Sequence, residues 1–295
     1  MKFVARFGGG LGDIFMKLYQ HKLYNSLLEF KKMGEIDAVV CCSNPASKPL
    51  LESLNIFSNI LHYDWELHCT HMEDYMQQFP DTINLLTCGA ETFSHLPLTS
   101  FDDGNMHQYE YHLNHEEVTI LNSVKDLKYI VLHSHTGTQS NDGLTQLQYV
   151  EMVRYILDYM PSFHVVDIGA NHSRMWVDSN DIIFDEHNMN IEHPRFIDLK
   201  NSSSCALSAN VVENADAFIG THSAWINLFW FFKRPTVCIY GATNDWGNWM
   251  DYQLTNGCKW GFYKPWTKTI PIGDDVNVES VAKLASGYIT GDNLL

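Results

Sequence analysis

The sequence predicts an α/β protein of two Rossmann-like βαβ domains, and three observations carry that expectation. Short apolar strands alternate with helically spaced segments over most of the chain. Several of those strands end in turns rich in glycine or hydroxyl residues that open the next helix. The alternation lapses once and then restarts, and 295 residues are enough for two ordinary cores.

Taken in order, residues 2–7 read as a strand and Gly8-Gly9-Gly10-Leu11-Gly12-Asp13 as its turn. Residues 14–33 carry Ile14, Leu18, Leu23, Leu27, Leu28 and Met33 at roughly helical spacing, with Gly34 as the stop. Residues 36–42 form a second strand, followed by Ser43-Asn44-Pro45, a helical segment to Leu54, and a third strand at 60–63. From 65 to 116 the pattern weakens apart from a helix-like stretch at 72–79, a composition suited to loops that shape a ligand site.

Alternation restarts at Lys128. Strands are expected at 129–132, 163–168 (ending at Gly169), 181–184, 196–199, 217–219 and 236–240. Helices are expected at 144–160, 203–214, 225–232 and 277–288. The domains are expected to be 1–125 and 126–295, with the last helix able to pack back on the first domain.

Composition narrows the partners. A net charge of −16 disfavours sequence-blind binding to nucleic acid or anionic membrane. No apolar run reaches the ~20 residues of a membrane span, and the amino end does not read as a signal peptide. Seven cysteines, odd in number and without a C-x-x-C pair, fit reduced thiols, so a soluble cytoplasmic protein is expected. His62, His68, Cys69 and His71, and the pair His133 and His135, are zinc-ligand types at spacings that match no common site, so no metal is expected.

The chemistry points to the glycine and hydroxyl loops. Gly9, Gly10 and Gly12 let backbone N–H groups approach a ligand, but the spacing is neither a dinucleotide fingerprint nor a P-loop. Asp13 remains, a carboxylate at a helix N-terminus at the edge of a parallel sheet. It is either a general base kept ionised by the helix dipole or a helix cap. Gly220-Thr221-His222-Ser223-Ala224-Trp225-Ile226-Asn227 and Ser134-His135-Thr136-Gly137-Thr138 each follow a strand. Each alone reads as an ordinary turn with a hydroxyl cap; together they could cradle a diphosphate. Trp246, Trp249, Tyr252, Trp260, Phe262, Tyr263 and Trp266 make residues 246–266 aromatic, suited either to stacking on a sugar or base or to a satellite hydrophobic cluster.

Gly12-Asp13 after the first strand resembles the opening of the lipopolysaccharide heptosyltransferases, glycosyltransferase family 9. The ordered set Ile197-Asp198-Leu199, Ala215-Asp216-Ala217-Phe218-Ile219-Gly220-Thr221-His222-Ser223-Ala224 and Arg234-Pro235-Thr236-Val237-Cys238-Ile239-Tyr240-Gly241-Ala242-Thr243 is similar to that family's nucleotide-sugar signature. The resemblance covers about 128–243 and 1–16. It implies a GT-B fold, two Rossmann-like domains facing a cleft. It also implies an inverting, metal-independent glycosyltransferase without a cofactor, whose co-substrate is a nucleotide diphosphate sugar. The donor would lie on Ser134, His135, Thr136, Gly137, Thr138, Gly169, Gly220, Thr221, His222, Ser223, Ala224 and Asn227. Gly9, Gly10 and Gly12 would lie on the acceptor side, and Asp13 would be the base.

The acceptor would be a glycan or lipopolysaccharide-type hydroxyl, or a modified DNA base, which the charge disfavours. The chain departs from the family where His222 replaces aspartate, Ala224 glycine and Asn227 histidine. No lysine stands between Ser134 and Gln148 where the family has one, and a protonated His222 could supply charge in its place. The rival readings are a nucleotide-sugar epimerase on the same architecture and an inactive nucleotide-binding module.

Overall fold

The computed structural model describes residues 1–8, 10–20, 23–41, 46–63, 70–85, 111–134, 144–169, 191–200, 203–221, 223–241, 266–273 and 275–292. The chain divides into two compact units, Met1–Asn114 with Ser204–Ala206, and His115–Ser203 with Leu207–Leu295.

Unit 1 holds β1 (Lys2–Gly8), β2 (Glu35–Cys41), β3 (Asn59–Tyr63) and β4 (Ile83–Asn84) in one sheet of order β3-β2-β1-β4, every pairing parallel. Its helices are α1 (Leu11–Gln20), α2 (Leu23–Met33), α3 (Ser47–Ser53) and α4 (Thr70–Gln78). A parallel sheet is covered on both faces, so its inner strands are apolar throughout. β1 shows the resulting split. Phe3 packs its ring 5.0 Å from that of Phe30 in α2, while the next residue, Val4, joins Val39, Cys41 and Tyr75 of α4 on the opposite face.

One buried charge interrupts that sheet. Asp37 in β2 accepts from the Tyr75 hydroxyl at 2.7 Å and from Asn59 Nδ2 at 2.9 Å, and pairs with Lys2 Nζ at 3.0 Å. Burial alone would raise its pKa; the hydrogen bonds and the Lys2 charge outweigh it and hold the carboxyl below 3.8. This carboxylate ties β1, β2, β3 and α4 together.

Unit 2 begins with α5 (His115–Val124) and continues β5 (Tyr129–His133), α6 (Gln146–Tyr159), β6 (His164–Asp167) and β7 (Phe196–Asp198). Then come α7 (Cys205–Asn214), β8 (Ala217–Gly220), α8 (Ala224–Phe229), β9 (Thr236–Gly241), β10 (Thr267–Ile272) and α9 (Val278–Thr290). The six strands lie in the order β10-β9-β8-β5-β6-β7, again all parallel. This is the doubly wound order, and the winding reverses between β5 and β8.

On one face of that sheet, Met152, Val153 and Ile156 of α6 and Val278, Val281 and Ala285 of α9 pack over Ile130, Leu132, Ile219 and Ile239. α6 opens on a capping box in which Thr145 and Gln148 bond each other's backbone N–H, and α9 opens on Asn277 and closes on Gly291 at φ 77°. Arg195 closes the far end of α6 by donating to the carbonyls of Met160 and Phe163 at 2.9 and 2.7 Å. The last helix therefore packs within unit 2.

Where sequence and structure differ, the causes are local. The helix expected from Ile14 starts at Leu11, because the Gly10 carbonyl already accepts from Ile14 N at 3.3 Å. Gly12 and Asp13 thus sit inside the first turn of α1, where N–H groups lack helical partners anyway. The 14–33 segment is divided between α1 and α2. β4, α5 and β10 are additional to the expected elements. β10 escapes the pattern because Pro271 interrupts it, and Pro is tolerated here because β10 is an edge strand. The strand expected at 181–184 lies outside the described residues. No helix among the described residues is long and apolar enough to cross a membrane.

Removing the Asp37 carboxylate orphans three partners at once. Asp37→Ala is expected to cost about 3 kcal/mol in urea denaturation at neutral pH. Because the folded-state pKa is depressed, this contribution is complete above 3.8 and lost as pH falls below it. Asp37→Asn should remove that acid dependence while keeping part of the hydrogen bonding. An alanine variant as stable as the parent would refute the role.

Candidate functional site

In an open parallel sheet a ligand site forms outside the carboxyl ends of the strands, where the winding reverses. In unit 2 that position is the end of β5 beside the end of β8. β8 closes with Gly220, paired with His133 of β5. A Cβ on Gly220 would lie 2.4 Å from the His133 carbonyl oxygen, so the approach of the two strand ends requires glycine here. The next residue, Thr221, donates its N–H to that same oxygen at 3.2 Å and is fully buried. Its hydroxyl has no hydrogen-bond partner among the described residues.

Ser134 follows β5 directly and is buried, as is His133. Gly169, just after β6, has φ 122°, and a Cβ there would stand 3.1 Å from two atoms of the His133 ring. The backbone conformation and the imidazole both call for glycine at that position. Ser223 has the extended backbone of an N-cap to α8 but makes no capping hydrogen bond; its hydroxyl is buried and also without a partner among the described residues. Ala224 is the first residue of α8, and Asn227 N donates to Ser223 O at 3.2 Å.

The structure therefore brings Ser134, Gly220 and Thr221 to one strand-end junction, with Ser223, Ala224 and Asn227 on the helix that follows. His135, Thr136, Gly137, Thr138, His222 and Gly9 lie outside the described residues. In unit 1, Gly10 precedes α1 and Gly12 is its second residue; Asp13 is the third, and its side chain lies outside the described residues. Residues 242–265, most of the aromatic segment, lie outside them too. His68 and Cys69 are likewise undescribed, and among the described residues no group of three His, Cys, Asp or Glu side chains could hold a metal ion.

Two ionisable groups at this edge went unremarked in the sequence. Asp167, the last residue of β6, is fully buried, and its Oδ2 lies 3.0 Å from Lys200 Nζ. Burial pushes the Asp167 carboxyl up to about 7, Lys200 opposes the rise and Asp198 adds to it. Lys200 Nζ also donates to Ser134 Oγ at 3.0 Å. A signal existed: a charge inside an apolar strand that is covered on both faces demands a partner. The sequence did not say which of 19 cations supplies it.

No protein-family model matches this sequence, and no curated protein does either. Solved structures do. ADP-heptose lipopolysaccharide heptosyltransferase II of E. coli aligns at 11% identity over 99% of both chains, with a TM-score of 0.57. A glycosyl transferase family 9 protein of Veillonella parvula DSM 2008 aligns at 11% identity over 99% of this chain and 97% of its own, also at 0.57. A Listeria monocytogenes protein described as a UDP-N-acetylglucosamine 2-epimerase aligns at 12% identity over 98% and 88%, at 0.53. The chain has the GT-B-like fold of these proteins, with two parallel α/β sheets.

Proposed function

We propose that the protein is an inverting glycosyltransferase that takes a nucleotide diphosphate sugar on unit 2. The observation that supports this most directly is the junction of β5 and β8. It is the switch point of a doubly wound sheet, it closes on a glycine, and it is flanked by the hydroxyls of Ser134 and Thr221. The donor's phosphates need hydrogen-bond donors and no acceptors, and hydroxyls with backbone N–H groups provide them. The full-length likeness to an enzyme named for ADP-heptose makes ADP-sugars the first donors to try.

In this reading the acceptor's hydroxyl oxygen attacks the anomeric carbon as the bond from that carbon to the diphosphate breaks. The configuration inverts and the nucleoside diphosphate departs with the bonding electrons. Asp13 takes the hydroxyl proton. Its place in the first turn of α1 favours the ionised carboxylate that a base requires. Donor contacts fall to Ser134, Thr221, Ser223 and Asn227, and to His135, Thr136 and His222 as the resemblance implies.

The 2-epimerase likeness keeps a second reading in play, because fold alone does not choose a chemistry. An epimerase returns the sugar to the same nucleotide and needs no acceptor. Transfer to an added hydroxyl therefore separates the two.

A thermal-shift panel of ADP-, UDP-, GDP-, CMP- and TDP-sugars is expected to contain at least one stabilising donor, since a ligand at about a hundred times its Kd adds about 2.7 kcal/mol. A panel without a shift, together with no transfer in a broad acceptor screen, would sink the proposal. Asp13→Asn is expected to lower turnover about a hundredfold or more while the donor-induced shift persists. Unchanged turnover in that variant would remove Asp13 as the base.

A further inference from the structure

The Lys200–Asp167 pair has no part in the reaction just described, yet it places two charges in the interior of unit 2 with side chains 4% and 0% exposed. Such a pair is costly to desolvate, and an apolar pair is often as stable. Nor is Asp167 well satisfied: its Oδ1 has no hydrogen-bond partner among the described residues, and its carboxyl is raised. Asp37 in unit 1, less deeply buried, accepts two hydrogen bonds and is lowered instead.

Lys200 is also aimed. Asp198 Oδ1 accepts from the Lys200 backbone N–H at 2.9 Å, a tight turn that ends β7, and Leu199 N donates to the Asp167 carbonyl at 2.9 Å. The turn sends the lysine back across the end of β6 to Ser134. Because the Ser134 hydroxyl accepts from an ammonium, its own proton is directed to another acceptor. Thr221, whose N–H bonds the carbonyl of His133 just before Ser134, has a buried hydroxyl with no partner among the described residues. The ammonium and the Ser134 hydroxyl meet at the strand-end junction that Thr221 also borders, and a polyanion rich in acceptors matches such a set of donors.

We propose that Lys200, Ser134 and Thr221 form a pyrophosphate-binding site at the carboxyl ends of β7, β5 and β8, with Asp167 as the resident counter-ion that the anion displaces from Lys200. This rests on the reading that unit 2 takes a nucleotide diphosphate, and it assigns the cation of that site to the turn after β7. Lys200 neutralises the anion and fixes the direction in which Ser134 donates; Asp167 offsets the Lys200 charge while the site is empty and touches no ligand.

The test is calorimetric titration of the full chain with sodium pyrophosphate at a pH above the titration of Asp167, with ADP, UDP, GDP, CDP and TDP titrated in parallel. The parent is expected to bind pyrophosphate, and Lys200→Gln to weaken it about tenfold or more. Asp167→Asn is expected to strengthen it several-fold, since the lysine remains and loses its counter-ion. A purely structural ion pair would give no such gain. The double variant Asp167→Asn, Lys200→Gln carries a neutral buried pair; its melting curve controls for folding, and it should bind as weakly as the single lysine variant. Equal affinity in Lys200→Gln and parent, or no gain in Asp167→Asn, overturns the site. Nucleotide binding that ignores Lys200 removes this site and leaves the donor reading standing. Pyrophosphate binding through Lys200, with every nucleotide refused, keeps the site and removes that reading. A parent that binds neither overturns both.

Discussion

Every strand pairing in both sheets is parallel, and this constraint organises everything else. A parallel strand cannot turn back on its neighbour; the chain must cross over a face and re-enter at the same end. All carboxyl ends in a sheet therefore emerge along one edge. Residues far apart in sequence meet there, as Lys200 and Ser134 do across a separation of 66. Helices on both faces then bury the inner strands, so the edge is where polar chemistry can be placed without orphaning a group.

The two buried strand carboxylates show what that burial demands and how differently it is met. Asp37 lies within β2, away from the strand's carboxyl end, and is served by a phenol, an amide and an ammonium. Each favours the charged form, and together they overcome the cost of desolvation. Asp167 lies at the strand end and has one ammonium against nearly complete burial, with Asp198 adding repulsion. The first arrangement cross-links four elements. The second is only half satisfied, which is the pattern expected where stability has been given up for function.

Much of the fold was legible because burial on both faces writes itself as apolar runs. The strands at 129–133, 164–167, 217–220 and 236–241 are such runs, each followed in the sequence by glycine, hydroxyl or amide residues. β4 was too short to carry a period, and β10 reads Thr-Lys-Thr-Ile-Pro-Ile, an edge strand whose alternating exposure and proline hide it. At the site, Gly220, Thr221 and Ser134 were visible because loop chemistry is local. Lys200 and Asp167 were not, because each is unremarkable in its own segment and the pairing exists only after the sheet has wound. Strand order is a non-local property, and no window of sequence contains it.

The departures from the heptosyltransferase pattern can be weighed by what each position requires physically. Ala224 in place of glycine costs little, since it begins α8 with helical backbone and the left-handed glycines of the described residues are Gly169 and Gly291. Gly220 stands where a Cβ has no room. At 11% identity over nearly the whole chain the likeness is one of fold, which burial pattern and obligatory glycines can specify while the chemistry of the strand ends differs. The lysine of the proposed pyrophosphate site, supplied from the turn after β7 instead of the loop after β5, would be a change of that kind. The sheet brings both segments to the same edge, so the charge can move between them without altering a single strand pairing.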